Sequence, residues 1–253
     1  MEQGYLDVAE RDLRDSTPLL IERVGQDNVD VGASFYTLGM LAWEQDRLAE
    51  AERDLAQAIT IWRSSSARTR LVRAMADHAE LLQTQGRREA AMEEIEQAQQ
   101  LAIGQMGVRH PMTSDIEHIF GRMLATNGDH AGAVERLERA AQHARASRGA
   151  NHLRTQSIEL SLARELARSD NLRAMGTMER LANARVAGGN EPRDLRWRAR
   201  AYLGEARCRA NPVQARADLD ALSIELHDAL PQGGRLPREI DAIRAGCAPI
   251  ASR

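Results

Sequence analysis

The basic side chains carry most of the chemistry this sequence offers. All 34 are Arg and none is Lys. A guanidinium is a planar fork of donors that grips a carboxylate or phosphate through two parallel bonds, where an ammonium is only a point charge. Other reactive types are arranged less usefully. His110, His118, His130, His143 and His152 cluster along the chain, but no two are four apart and no Cys is near. That pattern suits surface or turn histidines better than metal ligands. Glu93, Glu94 and Glu96 fall on the solvated side of a helix-periodic stretch, and Ser64–Ser66 reads as a polar linker. No GxxxxGK[ST], GxSxG or strand-borne GxGxxG occurs. The sequence therefore predicts no catalytic residue, no metal site and no cofactor. Arg193, Arg196, Arg198, Arg200, Arg207 and Arg209, with Trp197 and Tyr202, could form a basic stripe for nucleic acid. Those arginines are spread around a helix and the net charge is −3, so nucleic acid is not an expected partner.

What must position these groups is a repeated helix. From Gly128 the chain reads GDHAGAVERLERAAQHA, with Ala133, Leu137, Ala140 and Ala144 at three- and four-residue spacing. So narrow a stripe, with Ala where a core would want bulk, needs other helices close against it. The opening small residue recurs at Ala9, Ala51, Ala91, Ala133, Ala174 and Ala215, in steps of 42, 40, 42, 41 and 41. Another helix-periodic segment precedes each anchor after the first. A fixed period of this length in an all-helical pattern marks a solenoid of helix pairs.

Large–small pairs recur in the first helices: Leu38-Gly39, His78-Ala79, Phe120-Gly121, Leu162-Ala163 and Leu203-Gly204. Turn positions follow at Gly4, Asp46, Gly86, Gly128, Asp170 and Asn211, residues that tolerate a left-handed backbone. In these features the chain resembles the tetratricopeptide repeat family, in its 42-residue kinesin-light-chain-like variety. His110-Pro111 and Asn151-His152 hold corresponding places. The resemblance implies an all-α, right-handed superhelical solenoid of antiparallel helix pairs. Residues 1–25 would be the second helix of an incomplete first repeat. Five pairs would fill 26–229, at about 30–64, 68–104, 111–147, 151–187 and 192–229, and 230–253 would be a capping helix and tail.

In the resembled family the first helices line a concave groove that holds a ligand. Mapping this chain onto that arrangement makes Tyr36, Met40, Trp43, Arg73, Asp77, His118, Arg122, Arg164, Arg168, Arg198, Tyr202 and Arg209 the candidate partner-binding residues. Arg122, Arg164, Arg168, Arg198 and Arg209 would converge at one end and favour an acidic peptide or a chain terminus. Tyr36 and Trp43 would form an aromatic shelf at the other. The competing expectation is that these arginines pair with acids on the same face. Glu165 with Arg168, and Glu205 with Arg209, are spaced for that. The chaperone-tail clamp of the family needs Asn and Lys where this chain has Thr37, Asp77, Ile119, Ser161 and Tyr202, so that ligand is not expected.

Composition narrows the rest. Aromatics at 3% and charged residues at 28% suit Ala- and Leu-rich helices and argue against a β-rich fold. No apolar run approaches the roughly 18 residues of a membrane helix, and no basic-then-apolar leader opens the chain. Cys208 and Cys247 could pair, but a reducing cytoplasm with free thiols is the simpler expectation. Residues 1–100 hold 19 acids and 11 Arg, and residues 101–253 hold 18 acids and 23 Arg, so the two ends could take different partners. Arg in place of Lys hints at a GC-rich bacterial genome. The function expected is a non-catalytic protein-interaction scaffold, part of a larger signalling protein. The alternative is a ligand- or peptide-sensing domain that controls an attached kinase or transcription regulator. A homodimer through the incomplete first repeat is a further expectation.

Overall fold

Stripes of Ala and Leu at helical spacing build helices throughout. The computed structural model describes residues 2–169, 172–183, 193–231 and 233–247, and among them no strand occurs. The chain divides into two compact units, Met1–Asp129 and His130–Arg253, each taken by itself below.

The first unit holds α1 (Glu2–Val24), α2 (Val29–Glu44), α3 (Leu48–Arg63), α4 (Arg68–Thr84), α5 (Arg88–Met106) and α6 (Pro111–Thr126). The pairs α2–α3 and α4–α5 pack antiparallel, and α4 also packs on α6. Small residues make this possible. Ala51 and Ala91 are fully buried, and Gly39 lies so close to α3 that an added Cβ would stand 2.9 Å from Leu55 Cγ and 3.1 Å from the Ala51 carbonyl oxygen. Large groups fill the adjoining space: Leu55 and Leu81 in one cluster, Ile95, Ile116, Phe120 and Met123 in another. Each such side chain contributes about 1.5–3 kcal/mol by leaving water. On α1 the anchor Ala9 is exposed, unlike its counterparts, and so are Val8, Leu19 and Val24.

Two local devices set the connections. Helices α2, α4 and α6 end in the same way, with Asp46, Gly86 and Gly128 at positive φ (63°, 80° and 90°). The next amide reaches back to the last turn: Arg47 N to Ala42 O at 2.8 Å, Arg87 N to Leu82 O at 3.0 Å, Asp129 N to Leu124 O at 3.0 Å. This is the Schellman closure, and it satisfies carbonyls the helix leaves open. Helices α2, α6 and α8 (Leu153–Leu166) begin alike too. Asn28, His110 and His152 cap them, each side chain accepting from the amide two residues on, at 2.9, 3.1 and 3.1 Å. A glycine stands three residues before each cap, at 25, 107 and 149, with φ near +85° (86°, 85° and 85°). Two histidines of the cluster thus act as helix caps.

The second unit holds α7 (His130–Arg148), α8, a 3₁₀ turn at Ala167–Ser169, α9 (Leu172–Ala182), α10 (Arg193–Arg207), α11 (Pro212–Ala229) and α12 (Arg235–Gly246). Ala174, Met178, Leu181, Leu195, Trp197, Leu219, Leu226 and Ile240 belong to one core. Gly204 repeats the Gly39 arrangement, since its Cβ would meet Leu219 Cδ2 at 2.9 Å. Helix α10 packs on both α8 and α12, and α12 buries Leu236, Ile240 and Ile243.

Three expectations are corrected. Gly4 lies inside α1 and makes no turn. Asn211 has φ −144° and caps α11 through its side chain, because Pro212 starts the helix at once. Cys208 and Cys247 are joined in a disulfide, with their Cα atoms 5.8 Å apart, since α12 brings its end back to the end of α10. The argument for a reducing compartment from free thiols falls with it. The expected turn at Asp170 and the helix break at Gly188–Pro192 lie outside the described residues.

Candidate functional site

Helices one repeat apart carry equivalent positions side by side, and polar side chains on those positions meet. In the second unit, Arg164 on α8 holds Glu205 on α10, 41 residues later, through Nε–Oε2 at 2.8 Å and Nη2–Oε1 at 3.1 Å. Arg198 on α10 donates to Glu239 on α12, again 41 residues later, at 3.0 Å. Tyr202 Oη donates to the other oxygen of Glu239. Arg209 Nη1 donates to the Arg168 carbonyl at 2.9 Å, also 41 residues away. Arg168 Nε pairs with Glu165 at 3.0 Å.

Arg164, Arg168, Tyr202 and Arg209 surround one cleft of about 60 Å³, completed by Ala167, Glu205 and Ala206. Helix α8 supplies Arg164, the 3₁₀ turn swings Arg168 to the rim, and α10 supplies Tyr202 and Glu205. The guanidinium carbon of Arg164 stands 4.3 Å from the Tyr202 ring centre, a cation–π stack. Burial works against the Arg164 charge, but Glu205, Tyr202 and Glu239 outweigh it, so the group titrates above its ordinary value. Arg168 and Arg209 are exposed. The cleft is thus a cationic notch with a flat aromatic floor, and one carboxylate of the chain itself already sits in the fork of its deepest arginine.

The first unit repeats the pattern with different groups. Tyr36 Oη on α2 donates to Asp77 Oδ2 on α4 at 2.6 Å, and Arg73 Nε binds the same oxygen at 2.8 Å. Burial, then the Asp77 carboxylate, pushes the Tyr36 phenol above its ordinary value. Burial raises Asp77 as well, only partly offset by Arg73 and Tyr36. Arg122 pairs with Glu80 at 3.0 Å, one repeat back.

Several of the expected binding residues are therefore not placed as a ligand surface. Trp43 is 2% exposed and packs with Ala42, Ala51, Leu55 and Leu81, so it offers no shelf. The helix turns its large ring into the apolar cluster that these side chains form. His118 and Asp77 are buried, at 5% and 3%. Tyr36 and Met40 are half-buried, and Tyr36 tilts against Trp62 with ring centres 5.7 Å apart. Arg164, Arg168, Arg198, Tyr202 and Arg209 lie together in the second unit, while Arg122 belongs to the first. The pairing expectation holds for Arg168 with Glu165. Glu205, however, turns to Arg164 across the repeat and not to Arg209, which lies in the turn after α10. Glu239 was not singled out from the sequence, although one period added to Arg198 falls on it.

No protein-family model matches the chain, and no curated protein matches it. Solved structures do. BtubC (BKLC) from P. vanneervenii superposes with TM-score 0.66 at 16% identity, over 99% of this chain and 95% of that one. A putative kinesin light chain of Podosopora anserina, with nearly identical TPR-like repeats, gives 0.56 at 19% identity, over 87% of this chain and 97% of that one. The Rap conjugation gene regulator of plasmid pLS20, solved in complex with the Phr* peptide, gives 0.66 at 13% identity, over 97% of this chain and 69% of its own. Identities this low speak to fold. The paired helices, the buried small anchors and the recurring one-repeat contacts agree with that likeness: the chain has the all-α fold of tetratricopeptide-like helical-repeat solenoids.

Proposed function

We propose that the chain is a non-catalytic interaction scaffold whose second unit docks a carboxylate-bearing peptide at the Arg164–Arg168–Arg209 cleft. The observation that carries the reading is the Glu205 carboxylate in the fork of Arg164, with two exposed arginines on the same rim. Arg168 and Arg209 orient an acidic side chain or terminus, and Arg164 over Tyr202 supplies the firm cationic floor. Helices that are already folded reduce the ordering cost of binding. A sensor of small molecules is the second reading, and the cleft size disfavours it. Drug-sized ligands occupy about 300–1,000 Å³, well above the 60 Å³ available here. That a structural neighbour was solved with a peptide bound supports the docking mode by analogy of fold. The scaffold would serve in a larger bacterial signalling protein, with α1 as the second helix of an incomplete helix pair. A second copy would cover Val8 and Leu19, which share a face of α1, and sedimentation across a concentration series would then show dimers.

The test is fluorescence anisotropy with a labelled Glu- and Asp-rich peptide that ends in a free carboxylate. Wild type binds, more weakly as salt rises, and the Arg168→Glu/Arg209→Glu variant loses binding. Equal binding by both proteins overturns the cleft as the site.

A further inference from the structure

Helix α12 is more than a cover on the last core. It stands beside α10 as α10 stands beside α8, and Glu239 takes Arg198 one repeat back as Glu205 takes Arg164. Glu239 also accepts from Tyr202, whose ring floors the cleft, and its charge is felt at Arg164. It is therefore an acid of the chain itself, occupying the cationic groups beside the proposed docking cleft. What keeps it there is partly noncovalent: Leu236, Ile240 and Ile243 in the core, Arg216 Nη1 to the Arg244 carbonyl at 2.9 Å, Ser223 to Asp241 at 2.8 Å. The rest is the Cys208–Cys247 bond, which closes the far end of α12 onto the end of α10.

We infer that this disulfide is a redox latch: oxidised, it holds α12 docked with Glu239 as an internal competitor, and reduced, it lets α12 open and the arginine row extend to Arg198. The competitor half of this inference rests on the proposed docking reading. The chemistry balances with a dithiol as reductant. One thiolate of the dithiol attacks Sγ of Cys208, which is half-buried where Cys247 is enclosed. The Sγ–Sγ bond breaks and Cys247 leaves as thiolate. The second thiol of the reductant then attacks the mixed disulfide and releases Cys208. Two electrons pass to the protein, which takes up two protons as its thiols form, and the reductant ends as a disulfide. Loss of the covalent tie raises the population of the locally opened state, because the open segment regains the freedom the loop denied it.

The experiment uses the whole chain, oxidised and after dithiothreitol, with Cys208→Ser/Cys247→Ser as a reductant-free counterpart. Hydrogen exchange reads the latch: amides of 235–246 exchange faster in the reduced and Ser forms, while α8 and α9 keep their protection. Anisotropy with the acidic peptide reads the competitor. Affinity rises about tenfold on reduction, within the usual range of coupling between sites, and Glu239→Gln raises it similarly without reduction. Unchanged exchange in 235–246 overturns the latch. Faster exchange with equal peptide affinity in both states, where the peptide does bind, overturns Glu239 as its competitor. Faster exchange with no peptide bound in either state supports the latch and overturns the docking reading instead.

Discussion

Replacing Gly39 by Ala is expected to destabilise the first unit, although Ala is the better helix former. In an exposed helix the exchange gains roughly 0.5–1 kcal/mol. At Gly39 the new Cβ would lie 2.9 Å from Leu55 Cγ, 3.1 Å from the Ala51 carbonyl oxygen and 3.1 Å from the Leu55 amide nitrogen. Carbon atoms settle at about 3.5–4.0 Å, and two of these three neighbours are backbone, so α3 must move as a rod. Overpacking of that kind costs about 1–3 kcal/mol. The overpacking range less the helix gain runs from about 0 to about 2.5 kcal/mol of net loss, and the two backbone neighbours place Gly39 in the upper half of it. Gly204→Ala provides the graded case. Its three nearest neighbours all belong to the Leu219 side chain, at 2.9, 2.9 and 3.4 Å, with no backbone among them, so the loss should be smaller than at Gly39. Gly104→Ala, with nothing within 4 Å, should stabilise α5. Peptide-resolved hydrogen exchange in mild urea is the assay, because two units in one chain need not unfold in a single step. An ordering in which Gly39→Ala is as benign as Gly104→Ala would refute the account of how paired helices approach.

Two further outcomes can be measured. His110→Ala should loosen the first turn of α6 by about 1 kcal/mol, the ordinary worth of an N-cap, whereas His110→Asn should keep it, since Asn28 does the same work on α2. Exchange rates of the α6 amides distinguish the two. Acid should expose opposite signs in one unit. Burial works to raise Glu10, but hydrogen bonds from Arg47 and Arg14 hold its carboxyl below the usual range. Its contribution is complete above the unfolded value, about 4.3, and is lost as pH falls through the lower folded value. Asp77 is raised, so its contribution is greatest below its unfolded value and declines as pH climbs through the folded one. Glu10→Gln should therefore flatten the acid side of the stability curve, and Asp77→Asn should lift its neutral side relative to its acid side. Urea midpoints across pH read both.

How much of this was legible beforehand follows from what kind of signal each feature leaves. The helix pairs were legible because burial repeats: Ala51, Ala91, Ala133, Ala174 and Ala215 are all buried, and the period can be counted from the letters. The turns at Asp46, Gly86 and Gly128 were legible because a left-handed backbone restricts residue choice. Trp43 was misread because a helix places only one residue in three or four on a given face. A one-residue error in rotation moves a side chain between groove and core. The disulfide was not legible either. Two Cys 39 residues apart reveal a bond only once α12 is known to return to the end of α10.

The arginine row shows why a binding surface is harder to read than a fold in a repeat protein. A charged side chain on a first helix has two sets of neighbours. One set lies three or four residues away along the helix, and the other lies one whole repeat away on the next. Reading along the helix finds Glu165 for Arg168, and the structure keeps that pair. Reading across repeats finds Glu205 for Arg164 and Glu239 for Arg198. Such cross-repeat pairs cost little more than the two side chains' own freedom, because the flanking helices arrive already ordered. The same geometry sets what a ligand must do. An acid entering this face competes with a carboxylate supplied by the neighbouring repeat, and its affinity is the difference between two similar contacts. Arg209 escapes that competition, because it leans on a backbone carbonyl, while Arg168 meets it from Glu165 at the end of α8 and not from the neighbouring repeat. Charge reversal at those two should therefore abolish docking at a smaller cost to the stack than reversal at Arg164, which gives up both the fork to Glu205 and the stack on Tyr202.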